Sequence, residues 1–313
     1  MKSLNVNNDL LGDREALDRT LDEQGYLFFK GVIDLDAIAK VQTRMRTALA
    51  EDYGLSAADQ ELPVWNGNDL SVLPNKAPQL YKKGIWQEFT STLTVNGFFE
   101  KVAGEEITWI PISEYRMTVP LKEVPADFHF RARHQDGFFN PGIDFRTCWF
   151  PLTRIDDKVG GLALVPGYHK QGYLHDHGVA PKFEIPDGII PDEAWARPEV
   201  YEPGDVVVFT GTTPHMGLPN VSDQFRMSMD LRFVPASRPQ PVAGVLEHVD
   251  GTNVTITTED GQVTLALEDD TYIRKQDGNL VPRKDAGVAM QPGELVLAGR
   301  SGGTALGLRP QHG

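Results

Sequence analysis

The sequence is poor in cysteine and in long apolar runs, and both shortages exclude whole classes of protein. Cys148 is the single cysteine among 313 residues, so no disulfide can form within the chain. No stretch approaches the roughly 18 consecutive apolar residues of a membrane span. The first residues also lack the apolar core of a secretory signal. We therefore expect a cytoplasmic protein that does not span a membrane.

Basic residues are also few in comparison with acidic residues. The chain has 30 basic and 44 acidic residues, which gives a formal net charge of −14. Proteins that bind nucleic acid usually present a basic surface to the phosphates, so nucleic acid is not an expected partner. A large polyanionic substrate such as a CoA thioester is disfavoured for the same reason, although a local basic pocket can occur in an acidic protein. This balance favours a small, mostly uncharged metabolite as the substrate.

The residues that are present predict helices first and strands later. Asp34 is a suitable N-cap for a helix with apolar residues at helical spacing, and the range 86–102 has the same spacing. The short apolar run Tyr26–Phe29 suits a strand. From Ile107 onward the sequence consists of short β-rich runs bounded by Gly, Pro, Asn and Asp. We therefore expect a mainly β fold, a sandwich or jelly roll with flanking helices.

The end of the chain differs in pattern from the rest. Residues 235–241, PASRPQP, predict a linker. Beyond it, apolar runs alternate with Asp-Gly turns, which indicates a small all-β appendage of about five strands. The predicted domains are therefore 1–235 and 242–308. The appendage could cover the active site, mediate a homodimer or be a passive addition.

A possible metal site lies in the sequence Arg-His-Gln-Asp at 133–136. His134 and Asp136 are two residues apart, so in a strand they would face the same side. His215 follows the predicted strand of residues 205–209. Two histidines and one carboxylate form the facial triad that suits iron(II) and leaves positions open for a co-substrate and O₂. The alternative is that His134 and Asp136 are only a hydrogen-bonded pair.

Arg226 lies eleven residues after His215, inside a predicted strand of residues 225–233. A guanidinium group can bind a carboxylate through two parallel charge-assisted hydrogen bonds. A dicarboxylate that chelates iron through its keto-acid end would need such an anchor at its other end. The alternative is an ordinary strand arginine in a surface ion pair.

Several motifs in this order resemble the phytanoyl-CoA dioxygenase-like (PhyH) family of iron(II)- and 2-oxoglutarate-dependent oxygenases. The resemblance extends from about Leu17 to Pro235. It rests on four segments: the opening DEQGYLFFKGVID at 22–34, the metal motif HQDG at 134–137, the glycine-rich GGLALVPGYHK at 160–170, and the last motif at 215–226.

This resemblance implies a double-stranded β-helix, the cupin-like form of the jelly roll. It implies iron(II), 2-oxoglutarate and O₂ as cofactor and co-substrates. It also implies hydroxylation of a C–H bond of a small molecule, with succinate and CO₂ as co-products, in natural-product biosynthesis. Related halogenases have a small residue where this chain has Asp136, so oxygen transfer is expected. Desaturation, epoxidation or ring formation at the same centre stay open, as does a non-catalytic β-barrel binding protein.

The resemblance also suggests neighbours of the co-substrate. By position, Trp149 would form a wall of the pocket, Thr147 would donate a hydrogen bond there, and Arg116 would make a polar contact. Many family members have a serine or threonine where this chain has Gly217, so one family contact to 2-oxoglutarate is missing.

The remaining candidates are close to the metal motif in sequence. We expect His129, Phe138 and Phe139 to border the substrate; the alternative is that they fill the core. His175 and His177 lie in a loop rich in glycine and proline, and we expect both to be solvated; the alternatives are a second metal site and a contact with the substrate.

Overall fold

The computed structural model describes residues 1–57, 62–74, 77–82, 84–121, 133–176, 184–275 and 279–311. The α-helices are α1 (Arg14–Gln24), α2 (Leu35–Thr47), α3 (Pro78–Tyr81), α4 (Ile85–Thr90), α5 (Leu93–Ala103) and α6 (Ala286–Ala289). The strands are β1 (Tyr26–Phe29), β2 (Ile107–Thr118), β3 (Arg146–Pro151), β4 (Gly161–Leu164), β5 (Val206–Thr210), β6 (His215–Leu218), β7 (Arg226–Pro235), β8 (Val242–Val249), β9 (Asn253–Thr258), β10 (Gly261–Arg274), β11 (Leu280–Val281), β12 (Leu295–Ser301) and β13 (Thr304–Pro310). Within the described ranges, no helix has the length and apolarity needed to cross a bilayer.

The predicted start of α2 is confirmed. The Asp34 carboxylate accepts a hydrogen bond from the backbone N–H of Asp36 and caps α2. The prediction of one helix over residues 86–102 is wrong, because α4 and α5 are separate. The hydroxyl of Ser91 donates to the carbonyl of Glu88 in the last turn of α4, and Thr92 has extended backbone angles. Such local hydrogen bonds compete with the helix and end it.

The major sheet contains five antiparallel strands in the order β1-β5-β3-β7-β2. Alternate residues of its strands face opposite sides. One face packs on helices α1, α2, α4 and α5 in a large apolar cluster; Phe150 of β3 contacts Phe89 and Phe99 edge to face. Cys148 lies on this face and is fully buried. The other face of the sheet is therefore free to line a cavity.

The minor layer lies across that second face. It contains the antiparallel pair β4 and β6, extended by single backbone bridges between His134 and His215 and between Leu164 and Ala196. Two β layers with helices on the outside of one of them confirm the predicted mainly β fold with a double-stranded β-helix core.

The C-terminal residues form a separate sheet in the order β11-β10-β13-β12-β8-β9, in which β9 also pairs with β10. It has six strands where about five were predicted, and it encloses its own apolar cluster. The sheet contacts the jelly roll closely, since a Cβ at Gly299 would lie 2.1 Å from the carbonyl oxygen of Pro141. The division into domains 1–235 and 242–308 stays a prediction.

Candidate metal centre and its cavity

The two histidines are brought together by backbone pairing. The N–H of His134 donates to the carbonyl of His215, and the N–H of His215 donates back, each at 3.0 Å. This single antiparallel bridge at the edge of the minor layer places the imidazole centroids 4.2 Å apart. Residues that are 81 positions apart in sequence thus present their rings side by side.

Asp136 joins them from the same segment, as the spacing of two predicted. Its Oδ1 lies 3.3 Å from His134 Nε2 and 3.7 Å from His215 Nε2. The intervening Gln135 points the other way, where its amide donates to the carbonyls of Gly172 and Thr212. Among the described residues, His134, Asp136 and His215 are the group with metal-ligand chemistry, and their ligand atoms lie within 4.8 Å of one another.

The surroundings of Asp136 and His215 favour the ionised carboxylate and the neutral imidazole, the forms that bind metals. Burial alone would raise the pKa of Asp136, but the Arg232 guanidinium and the two imidazoles outweigh it and hold that pKa well below its usual range. Burial, and after it the neighbouring His134, lower the pKa of His215 to about 3. The Nδ1 of His215 lies 3.0 Å from the carbonyl of Thr213, which fixes the ring and leaves Nε2 for a metal. A carboxylate and two imidazoles are a donor set that fits iron(II).

The second oxygen of Asp136 is held by two side chains. Arg232 donates to Oδ2 from Nη2 at 2.7 Å and from Nε at 3.2 Å, and Thr147 donates from its hydroxyl at 2.9 Å. The Nη2 of Arg232 also lies 2.8 Å from Asp230. These contacts orient the carboxylate and leave Oδ1 directed at the histidines. The binding of 2-oxoglutarate by Thr147 stays a prediction.

Arg232 is the functional residue that the sequence analysis missed. A signal was present, because positions 226, 228, 230 and 232 of β7 are all polar and alternate with apolar residues. Period-2 alternation places all four on one face of the strand. That face is the one that carries Arg226, so the strand supplies two arginines to the site.

Arg226 is buried on the wall of the same cavity. Its Nη1 donates to the carbonyls of Gly161 at 3.1 Å and Leu218 at 3.4 Å, whereas its Nε has no partner in the part of the chain that the structure describes. Burial lowers the pKa of Arg226 to about 10. The open space at Gly217 faces this guanidinium, since a Cβ there would lie 3.5 Å from Nη2. Burial of a charge without an oppositely charged partner is costly, so a bound anion would stabilise this guanidinium; the role of Arg226 as anchor of 2-oxoglutarate stays a prediction.

The triad and most of the other predicted residues line one cavity of about 440 Å³. Its walls include the predicted residues Arg116, Thr147, Trp149 and Arg226. The aliphatic side chain of Leu162 and the aromatic ring of Phe209 also line it. The Nε of Arg116 lies 3.7 Å from Asp230.

Phe138 and Phe139 end the short helical turn Asp136–Phe139, called the metal turn below; both are buried and are not among the residues that line the cavity. Their contact with a substrate stays a prediction. His129 lies outside the described residues.

The prediction that His175 is solvated is wrong. Its ring is buried, stacks on Phe138 at 4.1 Å between centroids, and accepts a hydrogen bond at Nε2 from the N–H of Gln135. The loop after β4 folds back over the metal turn, so this histidine supports the turn from behind. His177 lies outside the described residues.

The C-terminal sheet also reaches the metal turn, which nothing in the local sequence indicates. Arg309 donates to Asn140 Oδ1 at 2.9 Å, and Asn140 Nδ2 donates to the backbone carbonyl of Asp136 at 2.8 Å. From β10, Arg274 lines the cavity and lies 5.7 Å from the ring centroid of Phe139.

A second cavity of about 430 Å³ lies on the helix side of the major sheet. It is lined by side chains of α1, the end of α5 and the sheet, among them Arg14, Val208 and Phe233. The group of possible metal ligands found among the described residues lies in the first cavity and not in this one.

This chain is similar to a known family, to two curated relatives and, more weakly, to a solved structure. The family model described as phytanoyl-CoA dioxygenase (PhyH) matches residues 21–228. A 1-deoxypentalenic acid 11-beta-hydroxylase of Streptomyces arenae is 34% identical over 242 residues, which are 73% of this chain and 83% of that protein. The protein of the same name from Streptomyces exfoliatus is 33% identical over 244 residues, with the same two shares. A solved structure described as "non-heme monooxygenase; ThoJ apo" covers 88% of this chain and 87% of its own, at 14% identity and a TM-score of 0.49.

Proposed function

Because the chain belongs to the phytanoyl-CoA dioxygenase family of iron(II)- and 2-oxoglutarate-dependent oxygenases, we propose that His134, Asp136 and His215 are its iron ligands and that Arg226 anchors 2-oxoglutarate. The enzyme is a hydroxylating dioxygenase of secondary metabolism. The observation that supports the ligand assignment most strongly is the convergence of one carboxylate oxygen and two imidazoles at the wall of a single cavity.

The iron, 2-oxoglutarate and O₂ together supply the oxidising power that turns a C–H bond into an alcohol, with succinate and CO₂ as co-products. The side chains of the protein position the metal and the co-substrates. Asp136 offers Oδ1 because Thr147 and Arg232 occupy Oδ2. His134, Asp136 and His215 would hold the metal at the wall of the cavity, where the two co-substrates would have access to it.

Arg226 is the group best suited to the far carboxylate of 2-oxoglutarate. It is the buried guanidinium of the cavity that lacks a carboxylate partner among the described residues. The attraction between two opposite charges is stronger in a buried site than in water, because the surroundings screen it less. We propose that Trp149 and Arg116 form the walls beside the co-substrate, since both line the same cavity.

We propose that the substrate is a small metabolite with an apolar skeleton. The relatives from Streptomyces are named for 1-deoxypentalenic acid, which is therefore the first compound to test. The apolar part of the cavity, with Leu162 and Phe209, supports a substrate of this kind. A cytoplasmic location fits a chain with one buried cysteine.

A homodimer through residues 242–308 is a further part of this proposal. Val245, Val288 and Leu295 of that region are exposed apolar side chains, which support a contact surface there. Light scattering on the purified protein measures the oligomeric state, and a monomer at all concentrations would exclude the dimer.

The test of the function is an anaerobic titration with iron(II) and 2-oxoglutarate, followed by visible absorption. We expect a weak charge-transfer band in the wild type, its loss in His134→Ala, and its retention in His248→Ala. His248 is an exposed histidine of the C-terminal sheet and serves as the matched control.

Turnover is then measured as succinate released in the presence of 1-deoxypentalenic acid and related metabolites. A product heavier by one oxygen atom indicates hydroxylation, and one lighter by two hydrogens indicates desaturation. A wild-type protein that binds neither iron nor 2-oxoglutarate would instead support a non-catalytic binding protein.

A further inference from the structure

The C-terminal sheet places one charged side chain in the cavity. Arg274, the last residue of β10, lines the cavity that contains the triad and is half-buried there. Its guanidinium carbon lies 5.7 Å from the ring centroid of Phe139, next to the metal turn. A guanidinium against an aromatic ring is partly fixed in position, which prepares it to bind a ligand.

Arg274, like Arg226, is a cation of this cavity that is not paired with a carboxylate of the described residues. Four guanidinium groups and three carboxylates line it, in a chain whose net charge is −14. Arg232 is paired with Asp136 and Asp230, and Arg116 lies 3.7 Å from Asp230. Among the described residues, no carboxylate pairs with Arg274. The excess in the cavity is thus one positive charge.

The cofactor and co-substrate do not remove this excess. Iron(II) carries two positive charges and 2-oxoglutarate carries two negative charges, so their binding leaves the balance unchanged. Arg226, as proposed above, is occupied by the far carboxylate of 2-oxoglutarate. A monoanion is therefore the ligand that neutralises the loaded cavity.

We propose that Arg274 binds the carboxylate of an apolar monocarboxylic acid substrate, so that the C-terminal sheet takes part in substrate selection. This inference rests on the proposed function and names the substrate class of the same site. Trp149, Leu162 and Phe209 provide the apolar walls for the rest of such a molecule. It replaces the sequence-based expectation of a mostly uncharged metabolite, which followed from the overall charge and not from the pocket.

The test compares acids with their methyl esters on the enzyme loaded with iron(II) and 2-oxoglutarate under anaerobic conditions. The probes are 1-deoxypentalenic acid, a medium-chain fatty acid and a bicyclic monoterpene acid, each beside its ester. Affinity is measured by calorimetry for the wild type, Arg274→Gln, Arg274→Lys and Lys275→Gln. The last variant removes the same charge from the next residue, whose side chain does not line the cavity.

In the wild type, at least one acid should bind about 10- to 100-fold more tightly than its ester, as for a charged hydrogen-bonded pair. Arg274→Gln should remove this preference by weakening the acid alone. Arg274→Lys should keep part of it, and Lys275→Gln should keep all of it. Arg274→Gln should still show the iron and 2-oxoglutarate band, which demonstrates that the variant is folded and loaded.

Two results would overturn the inference while leaving the proposed function intact. One is a normal band with no acid preferred over its ester in the wild type. The other is an acid preference that Arg274→Gln retains. Failure of the proposed function is distinguishable, because the wild type would then show no band.

Discussion

Arg232→Gln should cost the metal-free enzyme a large part of its stability. The guanidinium of Arg232 bridges Asp136 and Asp230 at 2.7 and 2.8 Å, and the side chains of all three residues are at most 10% exposed. Glutamine retains a hydrogen-bonding group but removes the charge. The variant therefore leaves two carboxylates in a buried site with less positive charge to balance them.

The magnitude follows from the partners that are left. Removing one partner of a buried ion pair costs about 3–5 kcal/mol, because the other charge stays buried. Asp136 keeps the hydroxyl of Thr147 at 2.9 Å, and Asp230 keeps Arg116 at 3.7 Å. These contacts relieve part of the cost, so we expect a loss of about 3 kcal/mol in the free energy of unfolding. Iron(II) beside Asp136 supplies positive charge, so the loaded variant should lose less.

The assay is urea denaturation of the metal-free protein, repeated with iron(II) and 2-oxoglutarate under anaerobic conditions. The matched control is Arg238→Gln, which breaks an exposed ion pair to Asp144 at 3.4 Å and should cost no more than about 1 kcal/mol. Adding Asp230→Asn to Arg232→Gln should recover part of the lost stability. Equal losses in Arg232→Gln and Arg238→Gln would refute the idea that the guanidinium neutralises the two carboxylates.

Three further predictions concern the co-substrate anchor, the metal and the contact between the sheets. Arg226→Gln should raise the KM for 2-oxoglutarate about 100-fold in steady-state kinetics, because a bidentate charged pair is lost; an unchanged KM would place the anchor elsewhere. Thr147→Val should raise the dissociation constant of iron about 10-fold in a chelator competition, since a hydrogen bond that orients the ligand carboxylate is removed; equal affinity would contradict that role. Gly299→Ala should lower the free energy of unfolding by about 1–3 kcal/mol, because its Cβ would lie 2.1 Å from a backbone oxygen of the facing loop. Gly303→Ala is the control, because a Cβ at Gly303 would have no atom within 4 Å, and its free energy of unfolding should change little. Similar losses of stability in both variants would count against a tight contact at Gly299.

The sequence predicted the parts of the site that depend on local geometry. The spacing of His134 and Asp136 predicted a shared face, and the structure places Gln135 between them on the opposite side. The double-layered β fold was predictable for the same reason, since strand length, turn residues and alternation are local properties.

Residues that act through distant contacts could not be predicted in this way. Arg309 reaches Asn140 across 169 positions of sequence, and neither residue lies in a motif. His175 was expected to be solvated because its loop is rich in glycine and proline, but composition does not tell where a loop packs. The charge of the whole chain likewise says little about the charge of one cavity.

The contact between the metal turn and the last strand has a consequence for the order of events during synthesis. A ribosome adds about 5–20 residues each second, and the N-terminal part of a chain emerges first. All three proposed iron ligands are present once β6 has been made. Arg274 and Arg309 come much later, from β10 and β13. The residues that would hold the metal are therefore synthesised several seconds before Arg274 and Arg309, the residues that the C-terminal sheet contributes to the cavity and to the metal turn.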